Sequence, residues 1–456
     1  MHWRYSSQIV SFTLLICLCA FQGQPLITKE YLGHSNLLGS SDVPSLSAKE
    51  LLWEKTYGGT GNDRAFAMAV ADNGFLIAGS STSFTTGKTA GLVVRTDSNG
   101  NMLWNRTYQE RAGSEFRNVQ RMAEGFLLVG NTFSSSVDED AWIVRIDDQG
   151  SVIWNRTIGG LGINKVFSAA TTPDGFVLVG LTYSSSNADS DGWIIKTDIN
   201  GNLLWNKTVG GYGNDAFRSV YMNENHSYAI AGYTDSNGSG NYDFWLVKIY
   251  ENGTILWSRN YGGGESDKAY ALTGAMDGYI IAGDTHPTGK TDVDALVMKM
   301  DLNGRLVWEK AYGGDDFDEV NTIIATRNGE YVVAGFTFSF GNGQRDFWIF
   351  KIDDSGNIVW SRVHGREAFE EAYAIVEVKD NDYVVSGWTD SIGAGSYDYY
   401  FIRTKIVPLD IGGVPRALGF YVLTFLGLTA IILFSCLYFR LNRRKIRQDA
   451  KKAPTT

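Results

Sequence analysis

Carboxylates are the reactive groups that this sequence repeats most often. One set follows a double glycine or its equivalent: Asp63, Asp215, Asp267 and Asp318, with Glu370, Asn164 and Ser114 at matching places. A second set opens an apolar run: Asp140, Asp191, Asp243, Asp294, Asp346 and Asp398, with Ala90 as the exception. Carboxylates combined with loop carbonyls suit a hard cation, so either set would serve a Ca²⁺ ion or a cationic ligand. The competing reading is that each Asp caps its own turn by accepting backbone N–H groups. Recurrence in nearly every unit favours that second reading. A specific ligand is expected where the units differ, in the variable loops 134–139, 184–190, 235–242, 286–293 and 338–345.

Other catalytic chemistry is sparse. Apart from His2, the histidines are His34, His226, His286 and His364, scattered over linker and loops. The cysteines, Cys17, Cys19 and Cys436, all lie in the two terminal apolar segments, so the region between has no thiol nucleophile, disulfide or Cys-based metal site. No nucleophile elbow, phosphate loop or zinc signature is present. No cofactor is expected, with Ca²⁺ the one ion the carboxylates would suit, and the chain does not read as an enzyme.

The elements that must position these residues are set by a period. Trp53, Trp104, Trp154, Trp205, Trp257, Trp308 and Trp360 are spaced by 51, 50, 51, 52, 51 and 52 residues. A fixed interval of this size marks a repeat architecture. Within one unit, residues 64–71 form an apolar strand and Asp72-Asn73-Gly74 a hairpin turn. Residues 75–80 form a second strand, 81–89 a polar loop and 90–96 a third strand. A tight turn at 97–100 then leads to a fourth strand carrying Trp104. Four hairpin-linked strands in about fifty residues make one propeller blade.

Seven units start at Tyr57, Tyr108, Ile158, Val209, Tyr261, Tyr312 and His364. The last lacks its fourth strand, and residues 50–56 supply the matching sequence at the other end. The expectation is an all-β, seven-bladed β-propeller of four-stranded blades, closed by an N-terminal strand that removes the open sheet edges. The tryptophans are expected to wedge between neighbouring blades. Both acidic sets should then ring one mouth. An enzyme on this scaffold would show a non-repeating cluster of carboxylates, Arg or Tyr around the central channel.

All seven units keep the glycine before T-x-S: Gly79, Gly130, Gly180, Gly232, Gly283, Gly335 and Gly387. With the W-x-[KR]-T-Y-G-G and G-N-x-x-W segments, this pattern over residues 50–407 resembles the secreted β-propeller repeats of archaeal and bacterial surface proteins. The Asp turns at Asp97, Asp147, Asp198, Asp301 and Asp353 are distantly similar to the tryptophan-docking motif of quinoprotein-type repeats and, at a longer spacing, to the Asp box of sialidases. Both motifs are structural in those families. The resemblance implies an exported propeller and no single activity.

The chain ends place this domain. Residues 1–23 read as a signal peptide, 24–48 as a linker and 49–407 as the propeller. Residues 408–416 form a juxtamembrane linker, and 417–439, uncharged throughout, a transmembrane helix. Residues 440–456 are a basic tail of net charge +6, which positions the C-terminus in the cytoplasm. Residues 5–415 carry about −18, which excludes nucleic-acid phosphate as a partner. The sequons at Asn105, Asn155, Asn206, Asn225, Asn237 and Asn252 are glycosylation candidates outside the cell. The third strand of the last unit ends on the tight-turn side, so that face is expected toward the membrane and the long-loop mouth outward. Together these readings describe a single-pass cell-membrane protein whose propeller binds an extracellular protein or glycan. The alternatives are a surface enzyme acting on glycans and a structural component of the cell envelope.

Overall fold

The computed structural model describes residues 51–406, except 184–188, 237, 239–240 and 287–291. The termini, including the signal, the apolar segment 417–439 and the basic tail, lie outside the described residues, as does the sequon residue Asn237. The described residues form seven antiparallel sheets of four strands each and contain no helix. The first strand, Leu51–Tyr57, pairs with Asp398–Lys405, the third strand of the seventh sheet. The sheet Leu51–Tyr57, Asp398–Lys405, Asp382–Thr389, Glu370–Lys379 is therefore built from both ends of the propeller. Inner strands of successive blades pack side by side, and the last, Glu370–Lys379, packs on the first, Asp63–Ala71, so the ring closes.

Apolar second and third strands explain why the blades stack. Gly74–Ser81 and Ala90–Thr96 are buried over almost their whole length, because both faces of a middle strand meet neighbouring blades. The result is seven cores, one per seam. Residues of the seventh and first blades share one: Tyr57, Phe75, Ile77, Val384, Tyr399 and Phe401. Each such side chain contributes about 1.5–3 kcal/mol by its burial, so the closing strand is held by the same force as every other seam.

The repeated tryptophan wedges between blades as expected. Gly100, Gly150, Gly201, Gly253, Gly304 and Gly356 all sit at positive φ in a tight turn, with the preceding blade's tryptophan, from Trp53 to Trp308, against them. Where the unit begins with tyrosine, its hydroxyl donates to the carbonyl of that same glycine, as from Tyr108 to Gly150 and from Tyr312 to Gly356, both 2.7 Å. The Asp at the head of each turn accepts backbone N–H groups two and four residues on, as Asp97 does from Asn99 (2.9 Å) and Asn101 (2.8 Å). On the tight-turn side, buried Lys196, Lys299 and Lys351 are neutralised by Asp174, by Asp277 with Asp354, and by Glu330.

The seven repeated glycines have a different cause. In every blade the inner strand skips one residue in its pairing, a β-bulge, as between Ala65 and Ala67 or between Phe217 and Ser219. The bulge presses the inner strand's carbonyl onto the glycine opposite. A Cβ on Gly79, Gly130, Gly180, Gly232, Gly283, Gly335 or Gly387 would stand 1.8–2.0 Å from that oxygen. Glycine is required there by contact, not by turn geometry.

Candidate functional site in the central channel

A bulge leaves its extra residue unpaired and re-aims its side chain. The seven skipped residues are Phe66, Arg117, Phe167, Arg218, Tyr270, Asn321 and Tyr373. All seven line one cavity of about 270 Å³, built from the inner strands of all seven blades. The surrounding repeat is nearly uniform, yet this ring holds two cations, two phenols, two phenyl rings and one amide.

Aromatic faces hold the cations in place. The Arg117 guanidinium lies 4.0 Å from the centroid of Phe66, whose ring meets Tyr373 edge-on at 5.1 Å. The Arg218 guanidinium lies 4.1 Å from the Phe167 centroid and 5.4 Å from that of Tyr270. Arg117 also has a counter-ion, Glu115, at 2.7 Å. Arg218 makes no hydrogen bond or ion pair with any described residue.

Carboxylates gather on the arc formed by blades five to seven. Tyr270 donates to Asp284 at 2.9 Å. Glu371 pairs with Arg345 at 2.5 Å and accepts from the Asn321 amide at 3.2 Å. Glu319 has no such partner. Burial, with the like charges of Asp284 and Glu371, pushes its carboxyl up to about 7. Burial likewise raises Asp284 and the Tyr270 and Tyr373 phenols, and the phenols stay protonated hydrogen-bond donors at neutral pH. The cavity is thus lined by Arg and Tyr with three carboxylates beside it, the non-repeating group expected of an enzyme on this scaffold.

The two acidic sets are largely buried and meet in pairs at the seams between blades. A Cβ on Gly58, Gly210, Gly262, Gly313 or Gly365 would stand within 2.8 Å of one carboxylate from each set. The pairs are Asp398 with Asp63, Asp191 with Asp215, Asp243 with Asp267, Asp294 with Asp318, and Asp346 with Glu370. The uncharged exceptions, Ala90 and Ser114, flank one further seam, and Asp140 faces Asn164 at another, with Arg111 at 2.6 Å.

The first set caps loops: Asp63, Asp215, Asp267 and Asp318 accept the N–H of Gly59, Gly211, Gly263 and Gly314 at 2.7–3.0 Å. Ser83, Ser236 and Ser339 hydroxyls bond three of them from the next loop. In the second set, Asp346 accepts from Asn342 and Gly343, and Asp398 from Ala394 and Gly395. Burial raises Asp191, Asp346 and Asp398 above the usual carboxylate range, and the like charges of Asp215, Glu370 and Asp63 add to it. Among the described residues no group of three or more His, Cys, Asp or Glu side chains is arranged to hold a metal ion.

Asn105, Asn155 and Asn206 are exposed on outer strands, and Asn225 and Asn252 are exposed in tight turns. His364 is half-buried, and desolvation lowers it to about 4, so it is neutral at physiological pH and outside the channel ring. The channel ring is the part that the sequence analysis missed. Its signal was present as the one variable residue that sits 13 or 14 positions before each repeated glycine.

No family model matches the chain. Among curated proteins, the regulatory protein FlaEY of Caulobacter vibrioides is 25% identical over 194 residues, covering 37% of this chain and 20% of that protein. The chain thus spans about a fifth of the curated relative it matches. Among solved structures, the Neurospora crassa Pan2 WD40 domain aligns at 13% identity and a TM-score of 0.47, covering 76% of this chain and 90% of that one. The periplasmic gluconolactonase PpgL of Pseudomonas aeruginosa aligns at 11% identity and 0.47, covering 76% and 100%. A puromycin hydrolase aligns at 15% and 0.47, covering 72% and 50%. These neighbours are β-propeller proteins, both interaction modules and enzymes.

Proposed function

We propose that this chain is a membrane-tethered, extracellular β-propeller that binds a ligand through its central channel. The observation that carries the reading is the ring of seven bulge residues, where a regular backbone device aims Phe, Arg, Tyr or Asn from every blade into one cavity. A structural channel would be filled with small or aliphatic side chains. This one is lined by Arg, Tyr and Asn, with the Glu319 carboxyl close to that lining. The tether is the uncharged segment 417–439 followed by basic residues, and the exposed sequons support an external location. The ligand is a protein or glycan group small enough to enter the channel.

The test is an array of glycans and peptides probed with the full chain in detergent, comparing the native protein with an Arg117→Ala/Arg218→Ala/Tyr373→Phe variant. Loss of every hit in the variant supports the channel as the site. Hits that survive unchanged remove it.

A second reading, a surface enzyme acting on glycans, is favoured by Glu319. A carboxyl that titrates near neutrality beside two further carboxylates has the property of a general acid. Turnover of an array ligand that is lost in Glu319→Gln while binding persists would establish it.

A further inference from the structure

We infer that Arg218 is the anion-binding residue of the channel and that its ligand is a small hydroxylated carboxylate, of the acidic-sugar class. The inference rests on the channel being the binding site. The argument starts from two arginines at the same bulge position, two blades apart. Arg117 is neutralised by Glu115, two residues before it on the same strand. The matching residue before Arg218 is Ala216, which carries no charge. The sequence therefore supplies an internal counter-ion for one guanidinium and withholds it from the other.

The second observation is how Arg218 is held. Its guanidinium stands over the Phe167 ring at 4.1 Å and near Tyr270 at 5.4 Å. Contact with ring faces stabilises the cation and leaves its N–H groups unused. A planar guanidinium so placed matches the two oxygens of a carboxylate.

Three features narrow the ligand. Asp284, Glu319 and Glu371 lie on the neighbouring arc, and their charge opposes a dianion such as phosphate. The rest of the lining is rich in hydroxyl and amide groups, among them Ser168, Ser219, Asn321 and Thr322, which suit a ligand with several hydroxyls. The cavity, about 270 Å³, is at the small end of ligand pockets, which run from about 300 to 1,000 Å³. A single sugar ring carrying one carboxylate meets all three conditions.

The test is equilibrium titration of the full chain in detergent with glucuronate, glucose, inorganic phosphate and a short peptide with a free C-terminus. Glucuronate is expected to bind, with glucose and phosphate weaker by about tenfold or more. Arg218→Ala should weaken glucuronate by about 10- to 100-fold and Arg218→Lys by less, since lysine keeps charge without the planar fork. Arg218→Gln, which keeps most of the side chain without its charge, should weaken it as well, and its cooperative melting guards against a loss of folding in Arg218→Ala.

Equal binding of glucose, or glucuronate binding unchanged in both Arg218→Ala and Arg218→Gln, overturns the anion assignment. Equal or tighter phosphate or peptide binding overturns the acidic-sugar class. If no probe binds while array hits still require the channel ring, this inference falls and the proposed function stands. If array hits ignore the ring, both fall.

Discussion

Glu319 shows how one residue couples the channel to pH. Its carboxyl is raised from 4.5 to about 7, first by burial and then by Asp284 and Glu371. Lys268 and Arg345 face the same arc and oppose that rise, while Tyr270 and Tyr373 remain neutral there. A carboxyl with a higher pKa in the folded state binds more protons than the unfolded chain between those two values. Its contribution to stability is therefore greatest below about pH 4.5 and is lost as pH rises through about 7. Glu319→Gln removes the ionisation, so thermal melting should show a gain on the order of 2 °C or more at pH 8 and little change at pH 5. Anion binding has the same sign: it should weaken between pH 6 and pH 8 in the native chain and vary less in Glu319→Gln. A pH-independent difference in melting would contradict the assignment of this carboxyl. None of this was legible in the sequence, because Glu319 follows Asp318 and reads as part of an ordinary acidic loop. Its environment comes from Asp284 and Glu371, 35 and 52 residues away.

At the scale of elements, the bulge and its glycine form one device. The glycine leaves room for the carbonyl, and the bulge aims the residue two positions after that carbonyl into the channel. Gly335→Ala would bring a methyl group to 2.0 Å from the Glu319 carbonyl and close to Val320, both parts of the backbone. The inner strand must move, at a cost of about 1–3 kcal/mol. Chemical denaturation should record that loss, and ligand binding should fall with it, because Asn321 and Glu319 lose their aim. An Ala variant that kept both stability and binding would show that the bulge is not set by the glycine. This explains why the repeat was easy to read and the site was not. Strand period, turns and Trp spacing are local signals, and the seven-bladed ring followed from them directly. The bulge has no local signature beyond the glycine, which sits on the partner strand, so the residue it aims looked like noise in the repeat. The carboxylate sets were legible as turn caps, but their pairing across the seams was not. Their recurrence was visible, but the serine hydroxyls and backbone N–H groups that use them, such as Ser339 and Gly314 on Asp318, come from loops the sequence does not place.

At the scale of the whole molecule, closure decides whether a channel exists. Leu51–Tyr57 supplies the outer strand of the seventh blade, and Glu54 ties it down through Arg366 at 2.6 Å and Tyr400 at 3.0 Å. Deleting residues 51–57 leaves Asp398–Lys405 as an unpaired edge. Light scattering should then show aggregation at temperatures where the native chain is monodisperse. Moving the same seven residues to follow Lys405 should restore the native behaviour, since the strand's place in the sheet is kept and only its connection changes. A permuted chain that still aggregates would mean that the N-terminal connection itself, and not the pairing, holds the ring.

The measurement that bears most directly on the account sets the channel ring against the loops of the mouth. The full chain in detergent is compared on one ligand array in three forms: native, with Arg117→Ala/Arg218→Ala/Tyr373→Phe in the channel, and with loop residues 134–138 and 338–344 replaced by serine and glycine. The account predicts that the channel variant loses the ligands of the native chain and that the loop variant, provided both melt cooperatively, retains them. Ligands kept by the channel variant and lost by the loop variant would contradict it.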